Sequence, residues 1–187
     1  MAAANFQGRD PVSLSADVAL HLRVGHFMGV SAHVYCNCLE KGLVASKPKA
    51  YWNLFVDSDG SRSTQGLDLE TELEFDRWNG SACQHEFGIY VSRPIGNVAL
   101  VSMLRDLLCA NDMESTFPVL LGHVLYNGTH GGDSVPMELM PQLREEVDQL
   151  ARVSCDEPST DAFLRGFVQT MQILYAAAKT LDRPICF

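Results

Sequence analysis

No run in this chain approaches the roughly 20 consecutive apolar residues that a membrane-crossing helix needs. The opening residues, Met1 to Gln7, lack a basic region followed by an apolar stretch, so no secretory signal is read there. Positive charge is also scarce: 14 Lys and Arg stand against 23 Asp and Glu, a formal net charge of −9. That balance argues against nucleic acid and anionic membrane surfaces as partners. It suits a basic protein partner or a cationic ligand, and it equally serves plain solubility. Several phosphate and catalytic signatures are missing: no Walker loop, no dinucleotide fingerprint, no His-Glu-x-x-His, no Gly-x-Ser-x-Gly elbow. No internal repeat or low-complexity linker interrupts the chain. Six cysteines are spread thinly over 187 residues without an export signal, so reduced thiols in a cytoplasmic setting are expected.

What is present fits one domain of ordinary size, since 47% of the residues are apolar. A clear pattern opens at Met28. Residues 1–27 are expected to be a poorly ordered N-terminal extension, with a short weak helix over 15–22, and residues 28–187 a single globular domain. Val30 to Leu39 alternates as a strand, with Val34, Cys36 and Cys38 on one face and His33 on the other. Tyr51 to Val56 and Gly88 to Arg93 read as further strands, the latter ending at Pro94, and Gly60 supplies a turn. Asn97 reads as the cap of a helix that buries Val98, Val101, Leu104 and Leu108. Phe117 to Tyr126 is a buried apolar run, helix or strand. Met137 to Arg152 is an amphipathic helix with Glu145, Glu146 and Asp148 outward. Asp161 to Leu181 is a long helix opened by Ser159 or Thr160, with Leu164, Phe167, Met171, Leu174, Ala178 and Leu181 on one apolar stripe, and Ile185-Cys186-Phe187 is expected to tuck back onto the body. Strands first and helices later predict an α+β fold: a small, mainly antiparallel sheet from the N-terminal half, packed by helices from the C-terminal half.

Residues 68–76 read two ways. Acids at Asp68, Glu70, Glu72, Glu74 and Asp76 alternate with apolar residues, which as a strand lines five carboxylates along one face. As a helix, Leu69 and Leu73 share a face and the acids spread around it. The alternation favours strand. Functionally the run is either a negative stripe for a basic partner or a solvated face. Trp78 after it is an expected core anchor, and Asn79-Gly80 a turn.

Two segments carry metal chemistry. Cys36-Asn37-Cys38 and Cys83-Gln84-His85 each place two soft ligands two residues apart, which in a strand aims both the same way. Together they offer the donor set of a Cys₃His zinc site, closed and therefore structural. The favoured reading, with no cofactor, is buried cysteines acting as small hydrophobes in a strand, since free cysteine is among the most buried residue types; zinc is the alternative. A second candidate is the Gly-rich loop Asn127 to Ser134, where His130 and Asp133 offer a general base and its orienting partner. The alternative there is a surface loop capping the next helix. His123, in an apolar run, is expected to be a satisfied core histidine, and His33 lies outside the cysteine face.

The stretches MGVSAHVYCNCLEKG and WNGSACQHEFG resemble a group of uncharacterised small bacterial proteins that begin with a Tyr-Cys-x-Cys strand and carry a Cys-x-His after a Trp. Small acidic bacterial proteins of this size resemble immunity proteins, which neutralise toxins of neighbouring cells. The resemblance implies a non-enzymatic binding protein, most concretely an immunity-type inhibitor masking a basic toxin domain with its acidic face. It assigns no site residue. The alternative is a small metal-dependent hydrolase in which His130 and Asp133 work near a zinc held by Cys36, Cys38, Cys83 or His85.

Overall fold

A computed structural model describes residues 13–14, 29–50, 52–65, 68–111, 113–125 and 133–187, residues 13–14 by their backbone alone. Three strands open it: β1 (Ser13–Leu14), β2 (Gly29–Tyr35) and β3 (Leu54–Val56). β4 (Arg62–Thr64), α1 (Leu69–Ser81), β5 (Ile89–Asn97) and α2 (Val98–Ala110) follow. The C-terminal half adds β6 (Ser134–Val135), α3 (Met140–Leu150), β7 (Ser154–Cys155), α4 (Pro158–Leu181) and β8 (Ile185–Cys186). The expected α+β class is what forms. A four-stranded antiparallel sheet, ordered β5-β2-β8-β6, lies against the helices. Two of its strands come from the C-terminal half, because the tail tucks back as predicted and inserts between β2 and β6. Of the expected 1–27 extension, only Ser13–Leu14 lies within the described residues, paired in parallel with Ser154–Cys155. The expected 15–22 helix lies outside them.

β2 buries Ala32 and Val34, and the alternation continues into buried Cys36 and Cys38 after the strand's own pairing stops at Tyr35. β5 does not end at Pro94. It runs through Pro94, which faces Ser31 beside a register shift, and an edge strand with a bulge tolerates a residue lacking N–H. Gly96 has φ 137°, and a Cβ there would come within 3.0 Å of the Phe163 ring, so α4 can lie close across the sheet only over a glycine. Asn97 caps α2 by accepting from the Leu100 N–H at 2.9 Å, as expected. Val98 is exposed, however, and Leu107 takes its place in the core.

The run after Phe117 is helical, with π-type bonding over Leu120–Val124. Its N-terminus explains why Glu146 faces inward instead of outward. The buried Glu146 carboxylate, 2% exposed, accepts from the N–H groups of Val119 at 3.0 Å and Leu120 at 2.8 Å, two donors the helix itself leaves free. α4 starts one turn earlier than predicted. Pro158 takes the first position and Glu157 is the cap, accepting from the Ser159 and Thr160 N–H groups. Those bonds, led by the Ser159 hydroxyl, pull the Glu157 carboxyl down to about 2. Leu164, Phe167, Met171, Leu174 and Ala178 form the buried stripe of α4, as predicted, with Leu181 only partly buried at its end, over one large core shared with α2, α3 and the sheet.

A second, smaller core stands apart from this one. Trp52, Phe75, Trp78 and Ala82 are buried together, with the Trp52 ring centred 5.7 Å from Phe75 and 6.0 Å from Trp78. It packs the β3–β4 hairpin against α1. That hairpin turns at Gly60, φ 89°, as expected. Residues 68–76 are helix, not strand: Asp68 Oδ1 accepts from the Thr71 N–H at 2.8 Å and fixes the first turn. Asn79-Gly80 continues that helix instead of turning.

Candidate metal centre

The two ligand segments come from different places. Cys36 and Cys38 leave the end of β2, while Cys83 and His85 lie in the bend between α1 and β5. Backbone bonds lace the segments together: Cys36 N–H to Gly88 O at 2.7 Å, Leu43 N–H to Cys38 O at 2.8 Å and Ala45 N–H to Ala82 O at 2.6 Å. The small core and the sheet therefore meet at the four ligands.

The ligand atoms of Cys36, Cys38, Cys83 and His85 all lie within 4.8 Å of one another. Cys36 Sγ is 3.8 Å from Cys83 Sγ. His85 Nδ1 is 3.5 Å from Cys38 Sγ and 3.9 Å from Cys83 Sγ. Zinc bonds of about 2.3 Å to sulfur and 2.0–2.1 Å to nitrogen set tetrahedral edges of about 3.8 Å between sulfurs and about 3.6 Å between sulfur and nitrogen. Three edges already have these lengths, and the widest needs to close by about an ångström. Three sulfurs and one imidazole nitrogen in a tetrahedron are a zinc donor set. A zinc ion held there would have four protein ligands and no position left for a substrate.

Arg62 lies against the same cluster, and no motif in the sequence marks it. Its guanidinium, 5% exposed, donates from Nη2 to Cys83 Sγ at 2.7 Å and Cys36 Sγ at 3.2 Å, and from Nη1 to Asn79 Oδ1 at 3.2 Å. Among the described residues no carboxylate is within ion-pair reach of it. A buried cation without a counter-charge is costly. Zinc dication, three thiolates and one guanidinium together are neutral. Gly88 makes the room: with φ 74°, a Cβ there would come within 3.1 Å of Arg62 Nη2. The only sequence signal for Arg62 is its position two residues past Gly60, and that means little until the hairpin's inward face is known.

The thiols differ in their protons. Burial drives the Cys38 thiol up to about 12, helped by the neighbouring Cys36 and Cys83 sulfurs. Burial pushes Cys83 up as well, but the His85 N–H at 3.4 Å and the Arg62 guanidinium outweigh it, and the thiol lies below its ordinary value. Crowded thiols of this kind cannot all ionise unless a cation joins them.

The other predicted residues lie elsewhere. Asp133 precedes β6. Ser134 pairs with Cys186, and Cys186 with His33, so Asp133 sits two strand spacings, about 10 Å, across the sheet from β2. Cys36 is four residues, about 13 Å, further along. Asp133 does not join the cluster, and His130 lies outside the described residues. His33 stays off the ligand face and packs edge-on against Tyr35 at 4.9 Å. His123 Nδ1 meets Ser134 O at 3.3 Å, so it is satisfied as expected, but it is half-buried and not in the core. The acids of α1 form no single stripe. Asp68 is consumed by the cap, Glu74 pairs with Lys49 at 3.2 Å, and Glu70, Glu72 and Asp76 stand exposed around the helix. Among the described residues no helix is long and apolar enough to cross a membrane. Comparison with known proteins finds no family model, no curated protein and no solved structure that matches the chain.

Proposed function

We propose that this protein is a non-enzymatic protein-binding module built on a structural zinc ion held by Cys36, Cys38, Cys83 and His85. The observation that carries the reading is the charge and geometry of that cluster: near-tetrahedral edges around one point, with the buried Arg62 as counter-charge. In this proposal the metal does no chemistry. It fastens the small core of Trp52, Phe75 and Trp78 to the sheet, which that core's four buried residues do poorly alone. An immunity-type inhibitor that masks a basic toxin domain is its most concrete form, supported by the net charge of −9 and the exposed acids of α1. The hydrolase reading finds less support, because Asp133 is remote from the ligands and their four positions leave zinc no open site.

Elemental analysis of untagged, reduced protein tests the metal. One zinc per chain is expected, falling to none in a Cys38→Ser/Cys83→Ser variant. Substoichiometric metal after growth in zinc-supplemented medium would sink the proposal.

A further inference from the structure

One side of α1 is apolar where, among the described residues, the fold gives it nothing to cover. Phe75 and Trp78 face the small core, yet Leu69 is 74% exposed and Leu73 50% exposed on the opposite side. At 100° per residue, Leu69, Leu73, Asp76 and Gly80 fall in one row. The row does not stop at Gly80. The Phe87 ring lies against it, 3.3 Å from where a Cβ would stand, and Phe87 is itself 46% exposed. Phe87 holds φ 50°, a conformation an aromatic residue adopts only when its surroundings impose it. It lies two residues past the ligand His85, so the metal bend fixes its place.

Charge decides what such a row can receive. Glu70, Glu72 and Asp76 border it, with Arg77 the one basic residue in the helix. A second copy would set acids against acids. Nucleic acid and anionic lipid carry the same sign.

We propose that the Leu69–Leu73–Phe87 face of α1 docks a cationic amphipathic helix of a partner protein. Leucine or aromatic anchors on that helix would meet the apolar row, and its Lys and Arg would meet Glu70, Glu72 and Asp76. Leu69 to Gly80 spans about 16 Å, the length of three helical turns. The inference rests on the binding-module reading and names its surface and the chemistry of its partner.

The test pans a displayed library of random 16-residue peptides on the zinc-loaded full chain, with a Leu69→Ser/Leu73→Ser chain panned in parallel. Both leucines are exposed, so folding is not at stake; zinc content and tryptophan emission check this. Enriched peptides are expected to be net positive with apolar residues at helical spacing. A synthetic copy should bind the variant roughly tenfold more weakly or worse, as loss of buried leucine contacts implies, and should weaken with salt. Neutral or acidic peptides, equal binding to the variant, or wild-type dimers that vanish in the variant would each overturn the surface. Full zinc without such peptides overturns the surface alone. Absent zinc overturns the metal reading, and the peptide comparison still decides the surface.

Discussion

Stripping the proposed zinc should release one part of this molecule and spare the other. A structural zinc site of this kind contributes about 10–16 kcal/mol, while an entire domain is stable by only about 5–15 kcal/mol. Loss of the ion is therefore as large as everything that holds a domain together. Its effect should fall first on the small core, whose four buried residues join the sheet at the ligand segments. The large core of α2, α3, α4 and the sheet is closed by its own apolar packing. Both tryptophans of the chain, Trp52 and Trp78, lie in the small core, so the emission of the protein reports on that part alone. With a strong chelator under reducing conditions, emission should shift to the red and amides of residues 69–88 should exchange freely. Far-UV circular dichroism should keep most of its helical signal, and restored zinc should reverse the change. An apoprotein that retains buried tryptophan emission and protected α1 amides would refute the argument that the metal fastens this core. Simultaneous loss of all helical signal would refute the division into two cores.

Three further outcomes are expected. Arg62→Gln should weaken zinc binding by roughly 10–100-fold, the usual cost of an outer-shell partner, read by competition with a chromophoric chelator; unchanged affinity would mean the guanidinium does not serve the metal. Glu146→Ala strands the buried Val119 and Leu120 N–H groups, at about 1–3 kcal/mol each, and should lower the urea midpoint without altering zinc content. Glu157 has its carboxyl pulled down to about 2. Its contribution is thus present above the unfolded value near 4.5 and disappears as pH falls toward 2; the difference in α4 stability between wild type and Glu157→Ala should shrink over that window, with metal release common to both.

The Cys/His cluster was legible as a candidate because metal chemistry needs particular atoms at short spacing, and Cys36, Cys38, Cys83 and His85 supply them. The Asn97 cap and the α4 stripe were legible for a similar reason, since each is a local pattern that burial enforces. Residues 68–76 misled because alternation carries information only when one set of residues is buried. Here Leu69 and Leu73 are as exposed as their acidic neighbours, and the cap at Asp68 and the distant Trp52 decide the structure. Glu146 and Arg62 were illegible for the opposite reason. Each is a charged residue drawn inward by a partner far away in sequence, a helix start 26 residues off and a pair of sulfurs 21 and 26 residues off. Nothing local to either residue announces such a partner.

β5 is nine residues long and sits at the margin of the sheet. An uninterrupted margin of that length would recruit strands from other molecules and seed fibres. Pro94 withholds a donor midway, the adjoining register shift spoils the straight ladder, and exposed Arg93 sets a charge beside them. Replacing Pro94 with valine would repair the ladder locally and should raise the protein's tendency to aggregate, read by light scattering against wild type.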